Sequence, residues 1–139
     1  KATSFLTQNV QHKCFILRGY AGTGKTTSVA ALVKALPYFN TKVVLLAPTG
    51  RAAKVISNYT GKTALTIHKK IYRKRSAVAT EMAFQLAPNL AENTLFIVDE
   101  ASMIADEWNP QNGSSFLKDL IEFVFQPLWT FVASLVVAF

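Results

Sequence analysis

The chain has 139 residues, of which half are apolar and 17% are charged, and its formal net charge is +7. This length suits a single domain with a sizeable core, and the apolar content excludes a disordered chain. The longest uncharged apolar run, 127–139, is shorter than the ~20 residues of a membrane-spanning helix, so no membrane partner is expected.

The charge is distributed unevenly along the chain. Fourteen of the fifteen Lys and Arg residues lie in 1–75, which contains no acid, and all eight Asp and Glu residues lie in 76–139. A surface of one sign favours a polyanionic partner such as nucleic acid. The alternative is a basic face that is simply solvated.

The predicted elements alternate between strands and helices. In chain order they are strand 14–17, helix 27–36, strand 42–47, helix 51–59, a short helix at 66–72, strand 94–98 and an amphipathic helix at 114–125. This alternation predicts an α/β fold with a parallel sheet. The stretch 76–93 follows neither period and is a candidate hairpin insertion. Cys14 in the first strand is expected to be a buried thiol, and a lone cysteine suits a cytoplasmic protein.

A glycine-rich loop lies between the first strand and the first helix. Gly19, Gly24, Lys25 and Thr26 fit G-x-x-x-x-G-K-[ST], the phosphate-binding P-loop. Such a loop surrounds phosphates with main-chain N–H groups, its lysine reaches the β- and γ-phosphates, and its hydroxyl ligates Mg²⁺. The predicted ATP-binding residues are Gly19, Ala21, Gly22, Thr23, Gly24, Lys25, Thr26 and Thr27. A glycine-rich turn without a ligand is the alternative.

Two acids follow the strand 94–98. Asp99 is placed to hold Mg²⁺ together with Thr26, and Glu100 is placed to orient or deprotonate the attacking water. Lys25, Asp99 and Glu100 are therefore the predicted catalytic residues. The alternative is a surface acid pair that caps the next segment. The two histidines are far apart in sequence and lack a cysteine or histidine cluster, which argues against zinc.

Four segments together resemble superfamily 1 DNA helicases of the RecD and phage Dda type. Gly19–Thr26 is similar to the first motif of that family, Ala47–Ala53 (Ala-Pro-Thr-Gly-Arg-Ala-Ala) to motif Ia, Thr66–His68 to the short motif after it, and Asp99–Met103 to motif II. The resemblance covers roughly residues 13–125. It implies a RecA-like P-loop NTPase that uses ATP and Mg²⁺ to move on single-stranded DNA.

The resemblance also implies which residues lie along or support the DNA. They are Pro48, Thr49, Gly50, Arg51, Lys54, Thr66 and His68. The cations around them in sequence could pair with phosphates, which agrees with this assignment. For His68 alone, a core or capping histidine is the alternative.

The chain departs from the family pattern after motif II. Motif III is not recognisable, and the second RecA-like domain with its arginine finger is absent from these residues. We therefore expect 1–139 to be a single partial RecA-like domain that binds nucleotide, turns it over slowly or not at all, and does not unwind DNA.

The atypical apolar tail, 127–139, has two interpretations. Its segment 128–137 could form the strand that RecA-like sheets insert between the P-loop strand and the motif II strand. It could instead be an exposed apolar patch through which copies self-associate.

Two other functions compete with a helicase ATPase domain. A P-loop kinase or ATPase unrelated to DNA would explain the P-loop but not motif Ia. A non-catalytic nucleotide- or DNA-binding fragment would explain the missing motif III.

Overall fold

The computed structural model describes residues 4, 13–20, 22–74, 84–109, 113–126 and 133–138. The helices are α1 (Lys25–Ala35), α2 (Gly50–Thr60), α3 (Ile67–Ile71) and α4 (Phe116–Phe125), with 3₁₀ turns at Leu36–Phe39 and Ala101–Met103. The strands are β1 (Lys13–Leu17), β2 (Lys42–Ala47), β3 (Ala64–Thr66), β4 (Tyr72–Lys74), β5 (Phe84–Leu86), β6 (Thr94–Val98), β7 (Trp108–Asn109), β8 (Ser114–Ser115) and β9 (Ala133–Ala138).

Five of these strands form one parallel sheet in the order β1-β9-β6-β2-β3. Leu46 lies opposite Val98, and Ala47 lies opposite Thr66. Because every pairing is parallel, all five strands end at the same edge of the sheet, which we call the carboxyl edge. The expected α/β fold is confirmed.

The sheet is covered on both faces, which explains why its central strands are continuous apolar runs. On one face, Val29 and Val33 of α1 and Ile56 of α2 pack with Leu45 and Ile97. On the other face, α3 and α4 pack on the sheet through a second apolar cluster. The buried members of that cluster are Leu46, Ile67, Ile71, Phe96, Val98, Ala101, Leu120, Phe123 and Val124.

Strand β9 comes from the apolar tail and lies between β1 and β6. It pairs in parallel with both neighbours. Phe96 of β6 lies opposite Leu135, and Phe15 of β1 lies opposite Val136. Val136 and Ala138 are buried. The tail therefore forms the inserted strand over 133–138, and the alternative of an exposed patch is wrong for the two buried residues. Residues 127–132 and 139 lie outside the described part of the chain.

Three details of the sequence prediction need correction. The short helix spans only Ile67–Ile71, because Thr66 ends β3 and Tyr72 begins β4. Strand β3 was not expected at all, since three residues are too few to show a period. Cys14 is exposed rather than buried, because β1 is an edge strand of the sheet and only alternate residues of the strand face the core.

The candidate hairpin insertion corresponds partly to an antiparallel ribbon. Strand β4 pairs with β5, with Arg73 opposite Gln85, so the ribbon begins before residue 76. Residues 75–83, which connect the two strands, lie outside the described residues. None of the helices in the described ranges is both long and apolar enough to cross a membrane.

Candidate nucleotide site and nucleic-acid edge

The loop after β1 depends on glycine at specific backbone positions. Gly22 and Gly24 have φ values of 78° and 81°, in the left-handed region that other residues enter at a cost of ~1–3 kcal/mol. A Cβ atom at Gly19 would lie 2.6 Å from Thr23 Oγ1, which is too close. Cβ atoms at Gly22 and Gly24 would meet nothing within 4 Å, so the loop leaves open space on that side.

Lys25 is held across this loop by main-chain carbonyl groups. Its Nζ donates hydrogen bonds to the carbonyl oxygens of Gly19, at 2.7 Å, and Tyr20, at 2.9 Å. The Tyr20 carbonyl also accepts a hydrogen bond from Thr23 Oγ1 at 2.7 Å. The ammonium group therefore lies against the main chain of the loop, at the position from which the P-loop motif predicts contact with a phosphate.

The N-terminus of α1 lies at the end of the same loop. Gly24 is its N-cap, none of the described side chains caps it, and no acid lies in its first turn. The first-turn N–H groups and the helix dipole are thus available to a negative ligand. Lys25 and the half-buried Thr26 are the first two residues of this helix. Thr27 is exposed, and Ala21 lies outside the described residues.

Asp99 lies directly beyond β6 and is only 4% exposed. Its main-chain N–H donates to the Leu46 carbonyl at 3.0 Å, which extends the β6–β2 pairing by one residue and fixes the position of Asp99. Burial raises the pKa of its carboxyl group, and the positive charge of Lys25 acts in the opposite direction. Lys25 begins α1, the helix that follows β1, and β9 lies between β1 and β6 in the sheet.

Glu100 has a different environment from Asp99. It is exposed and has a left-handed φ of 54°, which is unusual for a residue with a side chain. Its carbonyl accepts from Met103 N–H at 3.0 Å, and Ala101 is buried in the core beside it. The packed turn thus holds Glu100 at the surface of the edge, next to the buried Asp99.

The residues present suit Mg²⁺ better than a metal held by the protein alone. Nowhere in the described residues do three or more His, Cys, Asp or Glu side chains come together. Thr26 and Asp99 offer one hydroxyl and one carboxylate. Mg²⁺ is usually bound by one or two such groups, with water and nucleotide phosphates as its other ligands.

The predicted DNA residues follow β2 and β3, at the other end of the carboxyl edge. Pro48 and Thr49 come after β2, and Thr49 Oγ1 accepts from Ala52 N–H at 3.2 Å as the N-cap of α2, which begins at Gly50. Thr66 caps α3 in the same way, accepting from Lys69 N–H at 3.2 Å. Both threonine hydroxyls are thus used to begin helices at this edge.

Side chains that could contact nucleic acid are exposed here. Arg51, Lys54 and His68 are all exposed, so a core position for His68 is wrong. The centroid of the His68 ring lies 4.9 Å from that of the Tyr72 ring and 4.8 Å from that of the Phe84 ring, which it meets edge-on.

Sequence analysis missed this aromatic group. Tyr72 also stacks on Phe116 and donates a hydrogen bond of 2.5 Å to Asp119 Oδ2, which joins the β4–β5 ribbon to α4. Burial, with a smaller effect of Asp119, raises the pKa of the Tyr72 hydroxyl. The residues involved are 68, 72, 84, 116 and 119. Helical spacing connects 68 with 72 and 116 with 119, but no spacing rule joins these two pairs to each other or to Phe84, so the sequence carried no signal for the group.

Sequence comparisons agree with this geometry. A family model described as an AAA domain matches residues 4–110. The ATP-dependent RecD2 DNA helicase of Deinococcus radiodurans is 36% identical over 103 residues, which is 74% of this chain and 14% of that protein. The ATP-dependent DNA helicase dda of Enterobacteria phage T4 is 37% identical over 90 residues, which is 63% of this chain and 20% of that protein.

A third relative, the uncharacterized protein R530 of Acanthamoeba polyphaga mimivirus, is 28% identical over 130 residues, or 77% of this chain and 26% of that protein. The chain thus spans about a quarter or less of each of these three relatives. The family model, by contrast, matches well over half of the chain. The chain belongs to this AAA domain family, and its resemblance to superfamily 1 helicases of the RecD and Dda type is confirmed.

Proposed function

We propose that this chain is the ATP-binding and ATP-hydrolysing domain of a DNA helicase, which couples turnover of Mg²⁺-ATP to movement on single-stranded DNA. One observation supports this more than any other. The P-loop follows β1 at one end of the carboxyl edge, Asp99 follows the central strand β6, and the exposed cations after β2 and β3 lie toward the other end. One rigid sheet therefore joins a phosphate site to a surface suited to a polyanion.

The proposal assigns a separate role to each group of residues. Lys25 and the first turn of α1 bind and orient the phosphates, and Thr26 and Asp99 hold Mg²⁺, which neutralises phosphate charge. Glu100 accepts the proton of the attacking water or orients it. Arg51, Lys54 and His68 bind the DNA strand. Thr49 caps α2, which carries Arg51 and Lys54, and Thr66 caps α3, which carries His68.

A second RecA-like domain is part of this proposal. Fast phosphoryl transfer uses an arginine that reaches the γ-phosphate, and movement needs a second body that closes on ATP. This chain matches only 14% and 20% of the two helicases, and the unmatched remainder of each is long enough to contain such a domain. Self-association through the tail is not proposed, because Val136 and Ala138 are buried.

The test is binding of a fluorescent ATP analogue with Mg²⁺, and ATP turnover with and without single-stranded DNA, for the 139-residue chain. We expect Lys25→Ala to weaken nucleotide binding by at least tenfold. Lys34→Ala is the matched control, since Lys34 is an exposed cation in the last turn of the same helix. It should bind as the unmodified chain does.

The other outcomes separate the competing functions. Nucleotide binding without salt-dependent DNA binding would favour an ATPase or kinase unrelated to DNA. Binding of both without any turnover in the presence of the second domain would favour a non-catalytic module. Strand separation by the 139-residue chain alone would contradict the need for a second domain.

A further inference from the structure

The outer face of α2 carries a stripe that the nucleotide site does not use. Its exposed residues are Arg51, Lys54, Val55, Asn58 and Tyr59, and the exposed Lys62 follows the helix end. They recur at helical spacing, while the buried Ala53, Ile56 and Thr60 face the core. We call this set the α2 stripe.

Large apolar groups are exposed within the stripe between its cations. Tyr59 is 61% exposed and Val55 is 44% exposed. A tyrosine in this position offers an open ring face, and the lysines on either side offer charge. A row of cations with an aromatic ring between them is typical of surfaces that bind single-stranded nucleic acid through phosphates and stacked bases.

The charge of the surrounding chain favours the same ligand. All eight acids of the protein follow residue 75, so neither α2 nor its flanking strands carries one. An acidic peptide could satisfy the cations, but its charged side chains carry no ring to stack on Tyr59, whereas every nucleotide carries both a phosphate and a base. A single strand of nucleic acid satisfies both features.

The stripe also begins where the proposed DNA edge ends. Helix α2 starts at Gly50, on the carboxyl edge, and Tyr59 lies in its last turn, toward the opposite edge. The distance along the axis from Arg51 to Tyr59 is ~12 Å at 1.5 Å per residue. At ~3.4 Å per stacked nucleotide, this corresponds to about four nucleotides.

We propose that the α2 stripe is a second binding segment for single-stranded nucleic acid, which continues the strand from the carboxyl edge along the outside of the domain. This rests on the proposed function for the source of the strand. Arg51 and Lys54 belong to both segments, whereas Tyr59 and Lys62 are not among the residues assigned to the carboxyl edge. Tyr59 stacks on a base, and Lys54 and Lys62 pair with phosphates.

The experiment measures fluorescence anisotropy of labelled oligothymidines of five and twelve nucleotides at several salt concentrations. The longer strand should bind the unmodified chain more tightly, because it reaches both segments. In Tyr59→Ala combined with Lys62→Ala, this advantage should fall by at least fivefold, and the salt dependence of log K for the longer strand should decrease by ~0.7 per phosphate lost.

Three further variants make the result specific. Tyr59→Phe keeps the ring and should keep the affinity. Lys118→Ala removes an exposed cation of α4 and should change nothing. His68→Ala, at the carboxyl edge, should weaken both oligonucleotides alike. Thermal melting identifies any variant that has lost its fold.

Each outcome is decisive. An undiminished length advantage in the double variant would overturn the proposal and leave the stripe as a site for another partner or a solvated face. If Tyr59→Phe lost as much of the length advantage as the double variant, the stacking role of Tyr59 would be overturned. If His68→Ala has no effect while the double variant loses its length advantage, His68 does not bind DNA and the α2 stripe proposal stands.

Discussion

The two ends of the carboxyl edge are built in different ways. Around the P-loop, the geometry comes from main-chain atoms and glycine, with Lys25 anchored on two carbonyl oxygens and Asp99 buried. After β2 and β3, threonine side chains begin the helices and the charged groups are exposed. A site made from backbone tolerates little substitution, whereas an exposed surface acts through summed charge and tolerates much more.

Asp99→Asn should give the largest effect, because it removes the buried negative charge that we propose to hold Mg²⁺. Mg²⁺ should strengthen binding of a fluorescent ATP analogue to the unmodified chain by at least tenfold, and should not strengthen its binding to the variant. The measurement is a nucleotide titration with Mg²⁺ and with EDTA. Glu100→Gln is the control, since the exposed Glu100 is assigned to water and not to the metal. Equal loss in both would contradict this division of roles.

The same residue should make stability depend on pH. Burial raises the pKa of Asp99 in the folded state, so the folded protein binds this proton more tightly than the unfolded chain does. Without Mg²⁺, Asp99 therefore destabilises the fold at neutral pH and less so as the pH falls through its folded pKa. Asp99→Asn should melt at a higher temperature at pH 7, and the difference should shrink on acidification. A difference that does not change with pH would contradict this account.

Glycine substitutions test the backbone side of the comparison. Gly22→Ala forces a left-handed φ of 78° on a residue with a Cβ, although the space around it is open. It should lower the free energy of unfolding by ~1–2 kcal/mol and weaken nucleotide binding. Gly50, at the first position of α2, does not have a left-handed φ, and a Cβ atom there would meet nothing within 4 Å. Gly50→Ala should therefore be neutral or stabilising. Denaturant unfolding of both variants provides the measurement, and equal losses would contradict the distinction.

The sequence predicted the backbone-built end far better than the exposed end. The spacing of Gly19, Gly24 and Lys25 is set by local chain geometry, so a motif can record it. Asp99 could be placed because a buried apolar strand precedes it. The three-residue β3 and the contacts of His68 with Phe84 depend instead on tertiary packing. Such contacts join residues that are distant in sequence, and no periodicity marks them.

Tyr72→Phe tests one of these unpredicted contacts. The Tyr72 hydroxyl donates to Asp119 Oδ2, and removing it leaves a half-buried carboxylate without that donor. We expect a loss of ~1–2 kcal/mol in the free energy of unfolding, with nucleotide binding unchanged because the P-loop lies elsewhere. Asp119→Ala, alone and combined with Tyr72→Phe, completes a double-mutant cycle, because alanine removes the acceptor that asparagine would keep. Additive losses would mean that the hydrogen bond does not stabilise the fold.

Thr49→Asp gives the smallest effect and the finest distinction at the exposed end. Aspartate caps helices at least as well as threonine, so stability should be retained, whereas Thr49→Ala should lose ~1 kcal/mol. If Thr49 also lies against a DNA phosphate, the new charge should weaken oligothymidine binding by about three- to tenfold at low salt. Melting and anisotropy separate these two roles. Unchanged DNA affinity in Thr49→Asp would leave Thr49 as a helix cap alone, with DNA binding at this end carried by the exposed cations around it.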